Sequence, residues 1–153
     1  MLNPGDSAPD FEGKDDSGKT VTLYSLLKDK PVILYFYPKD ETPGCTTEAC
    51  SFRDNWDEFS KRGVNVIGVS SDTVESHRKF KEHRKLPFTL ISDEGGKIRK
   101  MYQATGLLIP PRISYVIGPD RKIVFAHNSQ MNPTSHVNLA IGKIKELEAG
   151  NST

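Results

Sequence analysis

Apolar residues gather along this chain in two rhythms. Val32-Ile33-Leu34-Tyr35-Phe36-Tyr37 is an unbroken β-rich apolar run stopped by Pro38, the pattern of a strand buried on both faces. Val64 to Val69 repeats it, Thr89-Leu90-Ile91 is a shorter version, and Thr20 to Leu23 adds a strand nearer the N-terminus. Ile113 to Ile117 and Ile123 to Ala126 flank Gly118-Pro119-Asp120-Arg121-Lys122, whose turn chemistry predicts an antiparallel hairpin. Helical spacing fills the intervals. It places Phe52, Trp56 and Phe59 on one face of Thr46 to Arg62. It also runs through Val74, His77, Phe80 and Lys81 after a cap in Ser70-Ser71-Asp72, and through Ile98, Met101 and Tyr102 in a short helix from Gly96 to Tyr102 capped by Asp93. Asn132-Pro133 opens a last helix in which Val137, Ile141, Ile144 and Leu147 recur to the C-terminus. Strand, strand-helix, strand-helix, strand, hairpin, helix predicts an α/β fold: a central mixed β-sheet flanked by helices on both faces.

A length of 153 residues matches one domain spanning 1–153, large enough to enclose a real core. The 21 basic and 20 acidic residues leave a net charge of +1 with no long run of one sign. That balance offers no footprint for nucleic acid or a membrane surface, and small or neutral partners fit better. No stretch approaches the roughly 18 apolar residues of a membrane span. Met1 to Asp10 has neither a basic n-region nor an apolar h-region, so a cytoplasmic address is expected, with a plastid as the alternative where a transit peptide has been removed. Asn151-Ser152-Thr153 is a glycosylation sequon that means little without secretion. Two cysteines are too few for a disulfide scaffold, which leaves free, metal-bound or catalytic thiols.

The chemistry concentrates in Pro38-Lys39-Asp40-Glu41-Thr42-Pro43-Gly44-Cys45, directly after the strongest strand and directly before a helix. Unpaired backbone N–H groups and the positive dipole end of a helix favour an anion, so a thiol there is biased towards thiolate. Cys45 is placed to be a nucleophile. Cys50 follows five residues later, about 140° round an α-helix and about 7.5 Å along it. Their Cα atoms would then stand roughly 8–9 Å apart, beyond the roughly 7 Å limit for a disulfide, so a bond between them requires the first turns to unwind. The Thr42 hydroxyl can both accept and donate a hydrogen bond and so polarise a reacting oxygen. Pro38 ends the strand and shields the pocket, while Glu48 sits where a carboxylate favours a helix N-terminus.

The run Pro38 to Cys50, with proline, three residues, threonine, two residues, cysteine, and a second cysteine five residues on, resembles the peroxiredoxins of the Q type, also called the bacterioferritin comigratory protein class. Gly5-Asp6-Ser7-Ala8-Pro9-Asp10-Phe11, Ile67-Gly68-Val69-Ser70 and Arg112-Ile113-Ser114-Tyr115-Val116-Ile117 extend the likeness over nearly the whole chain. The resemblance implies a thioredoxin-like fold and a peroxidase that reduces hydrogen peroxide and organic hydroperoxides without cofactor or metal. It implies peroxidatic Cys45, resolving Cys50, Thr42 and Pro38 shaping the pocket, and Arg112 supplying positive charge to thiolate and peroxide. It further implies recycling by thioredoxin or a similar dithiol, a role in antioxidant defence, and a monomer. The hairpin Gly118-Pro119-Asp120-Arg121 departs from the relatives' habit of an early acid and a late glycine. Pro110-Pro111 before Arg112 is a second departure, which bears on how that loop sets the arginine. Asn128-Ser129-Gln130 with Pro133 and His136 looks like the cyanobacterial and plastid branch.

Two rival chemistries use the same cysteine. A thioredoxin-like metal carrier would combine Cys45, Cys50 and a histidine, but ligand pairs usually lie two to four residues apart and the 140° divergence hinders joint ligation. A cysteine hydrolase would use Cys45 with His127 or His136 and Asn128 as orienter. His77, His83, His127 and His136 show no motif spacing, and read better as exposed or internally satisfied histidines.

Overall fold

The computed structural model describes residues 1–27, 29–106 and 111–151; Pro110 and the sequon's Ser152 and Thr153 lie outside the described residues. The elements follow in the order β1 (Glu12–Asp15), β2 (Thr20–Thr22), α1 (Leu23–Leu26), β3 (Val32–Phe36), α2 (Pro43–Asp54) and α3 (Trp56–Ser60). Then come β4 (Asn65–Ser70), α4 (Val74–Arg84), β5 (Thr89–Ser92), α5 (Lys97–Met101), β6 (Ile113–Ile117), β7 (Ile123–Asn128) and α6 (Pro133–Asn151). One seven-stranded sheet runs β2-β1-β5-β4-β3-β6-β7, with β3, β4 and β5 parallel and the other pairings antiparallel.

β3 is fully buried because it lies inside the sheet, between β4 and β6, with both faces covered, and its alternation sorts the core into two layers. Ile33, Tyr35 and Tyr37 face a cluster with Phe52, Phe59, Phe80, Val137 and Ile144, supplied by α2, α3, α4 and α6. Val32, Leu34 and Phe36 face Leu23, Ile98, Tyr102 and Phe11, supplied by the short α1 and α5 and by the N-terminal segment. That is the thioredoxin-like arrangement of a mixed sheet with helices on both faces, with one face clad far more lightly than the other. Gly68 pairs directly with Tyr35, and a Cβ on it would lie 2.8 Å from the Tyr35 ring, so only glycine lets that ring fold over β4.

Several boundaries differ from the sequence reading, each for a physical reason. The helix read from Thr46 begins at Pro43, whose missing N–H costs nothing in a first turn, so Cys45 lies inside that turn rather than ahead of it. The stretch to Arg62 is two helices: Asn55 adopts φ −106°, ψ 15°, and its side-chain amide donates to the Ser51 carbonyl at 2.8 Å, closing α2 before α3 starts. Thr73, not Ser70-Ser71-Asp72, caps α4, its hydroxyl accepting from the Ser76 N–H, while Ser70 completes β4. Asp93 does serve α5, accepting from the Ile98 and Arg99 N–H groups at 2.9 Å although Gly96 occupies the cap position. Leu23 turns into α1 instead of ending a strand. In the β6–β7 hairpin Arg121 takes the left-handed φ of 67° that a late glycine would supply, and its guanidinium lies 4.0 Å from the centre of the Tyr24 ring.

Candidate active site

β3 delivers the chain to the site. Its pairing continues one residue past its end, where the Tyr37 N–H donates to the Val69 carbonyl. Pro38 to Thr42 then turns into α2, with Glu41 in the left-handed region at φ 64°. Thr42 holds the N-cap position, yet its hydroxyl donates back to the Lys39 carbonyl at 2.8 Å instead of capping the helix. Its proton is therefore committed and its lone pairs are the free part of the group. Cys45 lies in the first turn, only 1% exposed. Pro38 is half-buried on the same loop.

β6 lies antiparallel to β3 with Ile113 opposite Phe36, which brings Arg112 to the end of the sheet where β3 runs out. Its Nη2 lies 3.4 Å from Cys45 Sγ and its Nη1 donates to Glu48 Oε1 at 2.7 Å. Gly44 makes room for this approach, since a Cβ there would lie 3.0 Å from Nη2. One cation thus serves a thiol and a carboxylate three residues apart on a helix, spaced to share a face. Glu48 is wholly buried; burial pushes its carboxyl up to about 8 against the downward pull of Arg112. Its Oε2 has no hydrogen-bond partner among the described residues and lies 3.7 Å from His136 Nδ1. Burial pushes His136 down to about 4, so the ring is neutral; Nε2 donates to the Ser129 carbonyl and Nδ1 accepts from the Ser114 hydroxyl, an assignment made from those partners.

A second buried cluster anchors the loop. Asp40 accepts from the Tyr37 hydroxyl at 2.6 Å and from the Ser76 hydroxyl at 2.8 Å, and it faces His77 Nδ1 at 2.7 Å. His77 Nε2 points at the Ile91 carbonyl at 3.0 Å. Both ring nitrogens face acceptors, so His77 carries two N–H groups and a positive charge. Burial works against that charge, but the hydrogen bond and negative charge of Asp40 outweigh it and raise the pKa above the ordinary histidine value. The Asp40 N–H also donates to Asp72. Asp40, Asp72 and His77 are the side chains close enough to share a cation among the described residues, but Asp40 and His77 already serve each other and Asp72 accepts from the Asp40 N–H and the Ser70 hydroxyl.

Of the residues singled out from sequence, Cys45 and Arg112 meet directly, and Thr42 and Pro38 lie on the loop leading into the same helix turn. Cys50 does not join them: it is half-exposed on another side of α2, in a shallow groove with Thr47, Ser51 and Thr134, and both thiols are free. The rival assemblies do not form. His136 is occupied by Ser114 and Ser129, and His127 by Ser135, so neither serves Cys45 as a base. The histidines are internally satisfied or, in His83, exposed beside Glu41. The sequence reading missed the pairing role of Glu48, given there only as a helix-end charge, and the Asp40–His77 pair. The one available signal was the spacing of Glu48 from Cys45.

Comparison with known proteins settles the family. The profile of the AhpC/TSA family matches residues 4–126. The chain is 46% identical over 147 residues to the chloroplastic peroxiredoxin Q of Arabidopsis thaliana, covering 94% of this chain and 68% of that one. The chain belongs to the AhpC/TSA family, in its peroxiredoxin Q branch. Among solved structures it is similar to peroxidoxin BcpB from Mycobacterium tuberculosis, with TM-score 0.90 and 36% identity over 95% of this chain and 98% of that chain. It is also similar to the bacterioferritin comigratory protein of Xanthomonas campestris, described for its alkyl peroxide reduction activity: TM-score 0.83, 27% identity, 89% of this chain and 90% of that one. As a peroxiredoxin, the chain is an oxidoreductase, a thiol-dependent peroxidase.

Proposed function

We propose that Cys45 is the peroxidatic cysteine and Cys50 the resolving one. The observation that carries this reading is the guanidinium of Arg112 held 3.4 Å from a buried thiol in the first turn of α2. That charge and the helix N-terminus are placed to stabilise negative charge at the sulfur during attack. The thiolate attacks the terminal oxygen of a hydroperoxide; an S–O bond forms, the O–O bond breaks, and the released oxygen leaves as water or alcohol after taking a proton. Sulfur is oxidised to sulfenic acid by two electrons and the peroxide is reduced by two. Arg112 stabilises charge on the oxygens as it develops, and the Thr42 lone pairs accept from the peroxide O–H. Pro38 borders the loop and limits water.

Cys50 then attacks the sulfenic sulfur, forming the disulfide and releasing water. In the continuous α2 the pair is too far apart to bond, so its first turns unwind, at a cost on the order of a few kcal/mol for a helix end. A dithiol donor of the thioredoxin type returns both thiols by exchange. Hydrogen peroxide and organic hydroperoxides are the substrates, the latter supported by the alkyl peroxide activity of the Xanthomonas relative. We place the enzyme in antioxidant defence, as a monomer; its chloroplastic relatives favour a plastid over the cytoplasmic address first expected.

The deciding experiment is intact mass after one equivalent of hydrogen peroxide, with free thiols blocked at quench. Loss of about two mass units, with neither thiol blockable, is the expected result. Cys50→Ser should stop at sulfenic acid, and Cys45→Ser should not react; peroxide turnover retained in Cys45→Ser would overturn the assignment.

A further inference from the structure

Among the described residues Arg99 is the second buried arginine beside Arg112, 4% exposed, and the catalytic reading leaves it unused. It belongs to α5, on the sheet face opposite α2. Two other pairs of buried ionisable side chains lie within ion-pair distance, Arg112 with Glu48 and Asp40 with His77. Among the described residues Arg99 has no partner of opposite charge within ion-pair distance. Its hydrogen bonds go to backbone carbonyls instead. Nη2 donates to Tyr37 O at 2.8 Å, and Nη1 donates to Ala104 O at 3.1 Å and, more weakly, to Pro111 O at 3.5 Å. The plane sits over the Phe36 ring, 5.7 Å from its centre. An arginine stays charged in a protein, so this cation is retained in the interior on backbone carbonyls, with no direct ion pair among the described residues.

The choice of carbonyls is informative. Tyr37 directly precedes Pro38, and Pro111 directly precedes Arg112. The two chain segments leave β3 and enter β6 side by side; their mutual register ends at Phe36 and Ile113, and beyond it Tyr37 is tied to Val69 and Arg112 to Ser129, each to its other neighbour. A planar fork that binds both can hold them in step, which a single ammonium cannot.

We propose that Arg99 is a positioning residue for the peroxidase reaction: its guanidinium fixes the Tyr37-Pro38 and Pro111-Arg112 backbones against each other and so sets Arg112 on Cys45. The proposal rests on Cys45 as the peroxidatic residue. Asp93 supports the device from behind by holding the first turn of α5, Arg99 N–H included. Burial lowers the Arg99 pKa from its ordinary value, while the charges of Asp93 and Cys45 oppose that shift, which ties the residue electrostatically to the site.

The test separates the two half-reactions in Arg99→Lys and Arg99→Met. Reduced enzyme is mixed with hydrogen peroxide, quenched at intervals with a thiol blocker and weighed; the disulfide form is separately reduced with dithiothreitol. Both variants should lose about ten- to a hundredfold in the oxidation rate constant. The pH of half-maximal rate should move upward, and dithiothreitol reduction should stay within about twofold of wild type. Arg99→Lys keeps the charge and nearly the size, so it remains informative should Arg99→Met not fold. Oxidation rates within about twofold of wild type, an unmoved pH profile, or equal losses in both half-reactions would each overturn the proposal. Wild type that keeps both thiols blockable after peroxide would overturn the Cys45 assignment itself, a result seen before any variant is compared.

Discussion

Gly44 and Arg112 are in such close opposition that a Cβ on the glycine would lie 3.0 Å from Nη2 of the arginine. Gly44 sits in the first turn of α2, where alanine raises helix propensity by up to about 1 kcal/mol. The same methyl group drives the guanidinium away from Cys45. Gly44→Ala should therefore keep or raise the thermal midpoint while the oxidation rate constant drops about tenfold. Calorimetry and rapid-quench kinetics on one preparation check both halves; a lowered midpoint with an unchanged rate would contradict the account.

Glu48 competes with Cys45 for one cation. Below about 8 its carboxyl holds a proton, forced there by burial, and the Arg112 charge is left to sulfur. Above that value the carboxylate draws the guanidinium to itself. Peroxide reduction should decline on the alkaline side with a midpoint near 8, and Glu48→Gln should remove that limb. Because the folded value lies above the ordinary carboxyl value of 4.5, the group's contribution to stability is lost as pH rises from 4.5 through about 8.

The Asp40–His77 pair follows the histidine rule. Its raised folded value means its stabilisation is complete below pH 6.5 and disappears as pH rises through that folded value. Asp40→Asn strands a buried imidazolium and should cost about 3–5 kcal/mol at neutral pH. Urea midpoints measured from pH 6 upward should fall in wild type, and a flat profile there would argue that His77 is neutral.

Disulfide formation should leave a local record. Amide exchange in α2 is expected to accelerate on oxidation across the turns between Cys45 and Cys50, while amides of α3 and β3 keep their protection. Unchanged exchange in α2 of a protein whose mass shows the disulfide would mean that the cysteines meet by another route.

The parts of this molecule that announced themselves in sequence are those where one local rule decides the outcome. β3 is legible because six apolar residues in a row have little alternative to a buried strand, and Cys45 because a strand, a loop and a helix start place it unaided. β1 was missed: Glu12-Gly13-Lys14-Asp15 has no apolar alternation and is a strand only because β5 and β2 pair with it. Glu48 looked like a helix-end charge because its burial depends on β6 and α6, far away in the chain. Arg99 lay unnoticed on a short helix for the same reason, since its partners are carbonyls and carbonyls leave no mark in a sequence.

Asn55 ends α2 with its own side-chain hydrogen bond, and α3 starts afresh beyond it with Phe59 in the core. On the mechanism proposed above, an opening that begins at Pro43 has a natural stopping place, so a partly melted state could be crossed in each cycle without approaching global collapse. Such a step exposes surface, and a step that exposes surface is accelerated by denaturant. Dilute urea, too weak to unfold the protein, should hasten disulfide formation after the sulfenic acid has formed. Hardening α2 against urea would make a more durable protein and a slower catalyst.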